Sequence, residues 1–147
     1  MLNRLSMSDF DAIKRLFLRV FSDEPWHDQW MDEDVIKYLS ELIQSPNSLT
    51  YGYMIDQKLV AISLGLSFHW WQGKEYFIKE FCVDNKMQQQ GIGTRFLNEM
   101  TQSLSKHDYK AIWLMTEKSV PAFHFYLKNG FHECENHVML AKKIPLK

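Results

Sequence analysis

Neither sign of charge is in overall excess in this chain. Its 17 Lys and Arg stand against 18 Asp and Glu, a formal net charge of −1. That excludes a general footprint for nucleic acid or for an anionic membrane surface. No apolar run is long enough to span a bilayer. Met1-Leu2-Asn3-Arg4 opens without the apolar core of a signal peptide. Cysteine is scarce: Cys82 and Cys134 cannot build a disulfide framework, and a reducing, cytoplasmic setting is the expectation. No repeat, low-complexity tract or linker divides the sequence. What is present is 46% hydrophobic and 14% aromatic over 147 residues. That suits a single domain, 1–147, with a real core.

Residues 1–5 read as a short first strand. Ser8-x-x-Asp11 reads as a capping box. Phe10, Ile13, Leu16, Phe17, Val20 and Phe21 then form a helical stripe to about Phe21. Pro25 stops that helix. The loop that follows carries Trp26 and Trp30, and from Asp23 to Asp34 it holds six acidic residues and no Lys or Arg. Two readings stand for Glu24, Trp26 and Asp28. They line an acceptor site, aromatic walls and carboxylates attracting a cationic amine, or the tryptophans pack the loop onto the core. Asp32, Glu33 and Asp34 suit the N-terminus of a second helix, whose face is Val35, Ile36, Leu39, Leu42 and Ile43.

Strands are expected at Leu49–Ile55, Lys58–His69 and Glu75–Val83. The second is apolar on both faces, as a central strand is. Trp70 and Trp71, in the turn after it, either line the acceptor pocket or cap the sheet edge. A helix over Thr94–Lys106 leads to a buried strand, Ala111–Thr116, parallel to Glu75–Val83 because the crossover contains a helix. Ser119-Val120-Pro121 starts a last helix, which stops at Asn129-Gly130. Phe131–Glu135 and Val138–Lys143 then form a hairpin, whose exposed edge would suit a homodimer. His132-x-Cys134-x-x-His137 offers at most three ligands on that hairpin and no partner pair elsewhere, so no metal site is expected.

The chemistry concentrates in Gln88-Gln89-Gln90-Gly91-Ile92-Gly93-Thr94, between a strand and a helix. Glycines admit a close ligand, and free N–H groups at a helix start attract an anion. A dinucleotide fingerprint fails at Phe96, and a P-loop fails at Thr94-Arg95. What remains, Gln88-x-x-Gly91-x-Gly93, resembles the pyrophosphate-binding loop of the GNAT acyltransferase superfamily. Phe125-Tyr126-Leu127-Lys128-Asn129-Gly130-Phe131 resembles that family's Phe-Tyr-x-x-x-Gly-Phe segment, and the order of elements matches along the whole chain.

The resemblance implies an α/β fold with a mixed, mostly antiparallel sheet of six to seven strands and about four helices. It implies acetyl-CoA as cosubstrate, with Gln88, Gln89, Gln90, Gly91, Ile92, Gly93 and Thr94 at the pyrophosphate. Phe81, Cys82 and Val83 end the strand along which the pantetheine arm would lie. Gln88 stands where the family often has Arg. Glu24-Pro25-Trp26 and Glu80-Phe81-Cys82-Val83 look like members of the aminoglycoside 6′-N-acetyltransferase type. The implied partner is a small amine, aminoglycoside- or polyamine-like, with a protein amine as an alternative. A non-catalytic acyl-CoA sensor on the same fold is the other class.

Acetyl transfer to an amine has to remove a proton from an ammonium of pKa about 10.4, stabilise an oxyanion and protonate a leaving thiolate. Glu80 is the candidate base. Strand alternation puts it on the face of Ile78 and Cys82, where burial raises a carboxyl pKa; the alternative is an ion-paired surface glutamate. Tyr126 is the candidate acid, or a packed aromatic in its helical stripe. Cys82 would carry an acyl intermediate only with an activating partner, and none is evident.

Overall fold

The computed structural model describes residues 1–147, which form two compact units, Met1–Met115 and Thr116–Lys147. In the first unit the order is β1 (Leu2–Arg4), α1 (Phe10–Phe21), α2 (Asp32–Gln44), β2 (Ser48–Ile55), β3 (Lys58–Trp70), β4 (Gly73–Val83), α3 (Ile92–Lys106) and β5 (Tyr109–Leu114). The second unit holds α4 (Pro121–Lys128). No helix is long and apolar enough to cross a membrane.

The sheet has five strands in sequence order. Neighbours are antiparallel except β4 and β5, which are parallel because α3 carries the chain back between them. β3 is central, and Val60 to Gly65 are buried in it. One face of the sheet meets α1 and α2. There Ile13, Phe17, Val35 and Leu39 pack on Ile62, Leu64 and Cys82. The other face meets α3, whose Phe96 lies against Tyr53 at 5.6 Å and stacks on Phe81 at 5.3 Å. Wholly buried Tyr76 places its hydroxyl 2.9 Å from both the Leu49 carbonyl and Ser63 Oγ, so its one polar atom is satisfied.

Three expectations need correction. The capping box is Ser6 and Asp9: Ser6 Oγ accepts from the Ser8 N–H, and Asp9 accepts from the Ser6 N–H at 2.9 Å. It caps a 3-10 turn, Met7–Asp9, which the sequence pattern merges with α1. β5 runs two residues earlier than Ala111–Thr116, and it is an edge strand with Trp113 at 41% exposure, because no strand lies beyond it.

The C-terminal hairpin is absent, so the sheet has five strands instead of six to seven. Val138, Met139 and Leu140 are 79%, 73% and 86% exposed. A two-stranded hairpin needs a covered face to be stable in water, and nothing covers this one. Phe131 serves α4 instead. Gly130, at φ 90°, reverses the chain; its N–H donates to the Leu127 carbonyl, and that of Phe131 to the Tyr126 carbonyl. This is a Schellman cap, completed by the Tyr126 and Phe131 rings 5.4 Å apart.

On the α3 face of β3, Gly65 lies under the Tyr76 ring. A Cβ there would sit 2.5 Å from the ring and would also strike the Phe77 carbonyl. The backbone cannot yield as a side chain could. Gly65→Ala is expected to destabilise the first unit by about 1–3 kcal/mol, measured as a lower urea midpoint with unchanged slope.

Candidate active site

The turn after β4 is held from several sides. Asp84 is buried and accepts from Arg19 Nη1 on α1 at 2.6 Å. It also accepts from the Lys86 N–H at 3.1 Å, capping a 3-10 turn at Asn85–Met87, while its own N–H donates to the Val60 carbonyl. Asn85 donates to Asp23 Oδ2 at 2.8 Å. The Gln88 amide donates to the Val83 carbonyl at 3.1 Å, so this side chain ties the loop to the strand end. With those anchors fixed, Gln89 (φ 64°) and Gly91 (φ 75°) reverse the chain into α3.

Gly91 is the N-cap of α3, and no side chain caps that helix. The N–H groups of Ile92, Gly93 and Thr94 lie in its first turn, where no intrahelical acceptor exists. No acidic residue occupies that turn. Gln88 to Gly91 are exposed, and a Cβ at Gly91 would meet nothing within 4 Å. The result is an open, uncapped, acid-free helix start, with the polarity that a phosphate needs. Beside it, the β4–β5 ladder ends at Ile78 and Leu114, although β4 runs on to Val83. Phe81, Cys82 and Val83 therefore lie on a stretch of β4 beyond its pairing with β5. The residues present fit a pyrophosphate followed by an extended arm.

Glu80 reaches its position through an irregularity. Leu64 pairs with Glu80, but Gly65 pairs with Ile78, so Lys79 is an extra residue in β4. A bulge of this kind breaks alternation. Ile78 therefore faces the α3 side with Tyr76, while Glu80 faces α1 and α2 with Cys82. The alternation expected from sequence holds for Cys82 and fails for Ile78.

On that side Tyr38 of α2 donates to Glu80 Oε1 at 2.6 Å. Burial pushes the Glu80 carboxyl above the usual glutamate range; the Tyr38 bond and Lys79 oppose the shift, and Asp28 adds to it. Burial, then the charge and hydrogen bond of Glu80, hold the Tyr38 hydroxyl protonated well above the usual tyrosine range.

The acidic loop folds against the same helices. Trp26 packs on Phe21 at 5.6 Å, and Trp30 packs on Phe17 at 5.7 Å and stacks on Tyr38 at 5.2 Å. Both tryptophans thus pack onto the core. Asp28 accepts from Trp30 Nε1 at 3.3 Å and, with Gln29, Trp30, Met31 and Asp34, lines a shallow cavity of about 330 Å³. Glu24 is exposed on the same loop, and neither it nor Trp26 lines that cavity. Trp70 and Trp71 sit at the β3–β4 turn, on the order of 20 Å along the strand from Glu80.

Tyr126, in the second unit, is buried in α4 against Phe125 and Phe131. Sequence reasoning missed Tyr38, Arg19 and Asp84. Tyr38 does follow Val35 by three residues and precede Leu42 by four, which marks it as part of the inward stripe. Nothing local marks its partner.

Cys82 is buried, and burial, with Glu80 and Asp84 adding to it, pushes its thiol far up. A thiolate is the reactive form. With iodoacetamide at pH 8, followed by peptide mass mapping, exposed Cys134 should be alkylated while Cys82 stays unmodified in the folded protein. Comparable labelling of both would contradict the placement of Cys82.

The profile of the Acetyltransferase (GNAT) family matches residues 10–131. An aminoglycoside acetyltransferase, meta-AAC0020, from an uncultured soil metagenomic sample, solved in complex with sisomicin, superposes with a TM-score of 0.75 at 19% identity, covering 100% of this chain and 96% of that one. A GNAT family acetyltransferase from Staphylococcus aureus superposes with a TM-score of 0.73 at 16% identity, covering 98% of each. At these identities the likeness is one of fold. No curated protein matches the chain in sequence. The family match covers most of the chain, and the fold agrees with it: this protein belongs to the Acetyltransferase (GNAT) family and is an acyltransferase.

Proposed function

We propose that the protein transfers an acetyl group from acetyl-CoA directly to the primary amine of a small cationic acceptor. One observation carries this reading. The carboxylate that a bulge turns toward α1 and α2 sits on the strand that runs into the uncapped start of α3. Base and cosubstrate are then delivered by one continuous segment. The donors from Gln88 to Thr94 hold the pyrophosphate, and the backbone of Phe81, Cys82 and Val83 receives the arm.

Glu80 accepts a proton from the bound ammonium, and its raised pKa makes it a stronger proton acceptor than an ordinary glutamate. The freed amine forms the new C–N bond as the thioester C–S bond breaks. A strand N–H near Cys82 stabilises the charge developing on the carbonyl oxygen. Tyr126 gives a proton to the departing sulfur, and the second proton lost by the acylated nitrogen restores the tyrosine hydroxyl.

Glu24, Trp26 and Asp28 belong to the acceptor side, and Asp28 and Asp34 give its cavity a negative lining. That supports an aminoglycoside- or polyamine-like acceptor. Free Cys82 and Cys134 suit a reducing cytoplasm, and the family match spans both units, as one domain over 1–147 would.

A homodimer is part of the same proposal. It is supported by the exposed apolar run at Val138–Leu140, which a second copy would cover. Light scattering after gel filtration should give twice the monomer mass, and Leu140→Asp should give a monomer. A monomeric parent would contradict this part.

Glu80→Gln should lower kcat/KM for amine-dependent thiol release by about 10²–10⁴-fold. The Glu80→Gln, Tyr126→Phe double variant should still bind acetyl-CoA in a calorimeter. In the parent, kcat/KM should fall with acid along a limb that lies above the ordinary glutamate range, because the base works only when ionised. Full turnover in the double variant would overturn the reading.

A further inference from the structure

Tyr38 has no place in the chemistry so far, yet it makes the one hydrogen bond that the Glu80 carboxylate accepts from a side chain, at 2.6 Å. The ring is fixed before the bond forms. It stacks on Trp30 with centroids 5.2 Å apart and planes 20° off parallel, and it meets Phe17 at 6.2 Å. Lys79 Nζ lies 5.7 Å from its centroid. A carboxylate has two oxygens, each with two lone pairs. A short donor on one of them restricts the rotation of a glutamate that otherwise turns about three bonds.

We propose that Tyr38 is a positioning residue for Glu80: its hydroxyl fixes Oε1 and leaves Oε2 as the oxygen that receives the acceptor's proton. This rests on the reading of Glu80 as the base. Trp30 lines the acidic cavity and stacks on Tyr38, so a wall of the cavity and the base are joined through one ring. The groups around Glu80 are Tyr38 from α2, Asp28 from the loop, and Lys79 and Cys82 from β4 itself. Of these, Tyr38 donates to the carboxylate, and its hydroxyl stays protonated throughout the working range.

Tyr38→Phe removes the hydroxyl and keeps the ring that stacks on Trp30 and packs on Phe17, and an unchanged urea midpoint checks that the fold is kept. The direct test follows the Glu80 carboxyl carbon by NMR in the full chain labelled with ¹³C at glutamate, with Glu80→Gln supplying the assignment. The Tyr38 bond favours the ionised form, so Glu80 should titrate at higher pH in Tyr38→Phe. The acid limb of kcat/KM should move the same way. On the alkaline plateau kcat should fall by up to about 100-fold through misalignment, with KM for acetyl-CoA unchanged. An unmoved titration overturns the positioning role, and so does an equal loss at every pH. If Glu80→Gln retains amine-dependent thiol release, the base reading itself fails and takes this inference with it. If Glu80→Gln is inactive while Tyr38→Phe leaves titration and limb unmoved, only the positioning role falls.

Discussion

Lys79 is the extra residue on which the site depends. A strand shares its side chains alternately between two faces, and β4 has to serve two different cores. Before the bulge it sends Tyr76 and Ile78 to the α3 side; after it, Glu80 and Cys82 go to the side of α1 and α2. In an unbulged strand with the same residues Glu80 would share the face of Ile78 and lie away from Tyr38 and the acidic loop. The bulge gives up local ladder regularity for that placement, and the unbroken pairing of Glu80–Val83 with Ala61–Leu64 holds the strand in place beyond it.

Partial burial of a carboxylate is costly unless its lone pairs are satisfied. At Glu80 two neighbours limit that cost. Burial and Asp28 raise its proton affinity, while Tyr38 and Lys79 restrain the rise. The proposed base role asks for such a balance, since a fully stabilised carboxylate would bind protons too weakly. Asp84, near the end of the same segment, is treated differently. Arg19, the Lys86 N–H and its own N–H to Val60 hold it on three sides, so it anchors the loop.

Much of this was legible because it is local. The stripe from Phe10 to Phe21 and the two-faced run in β3 repeat at helix and strand periods, and both elements form within a residue or two of where those periods place them. Asn129-Gly130 marked a helix stop, and Gly130 indeed takes the left-handed conformation there. What stayed hidden is non-local. Tyr38 and Glu80 are separated by 42 residues, and Arg19 and Asp84 by 65, so no window of sequence contains either pair. The bulge leaves only a faint mark: Lys79 and Glu80 stand as adjacent charged residues between Ile78 and Phe81, which breaks the period of two, but nothing local says which of them is the extra one. The C-terminal hairpin misled for the opposite reason: Val138–Leu140 has strand composition, but strands also need a covered face. The candidate site was legible as a segment, Glu80–Thr94, and the contacts that hold it were not.

The central claim is that this segment joins an acyl-CoA site to a base. It is tested most directly by thiol release from acetyl-CoA across a panel of aminoglycosides, polyamines, amino acids and lysine peptides, against a control without amine. Amine-dependent release that is strongest for the polycationic members is the predicted result. A flat panel from a protein that binds no acetyl-CoA would contradict the account at its root.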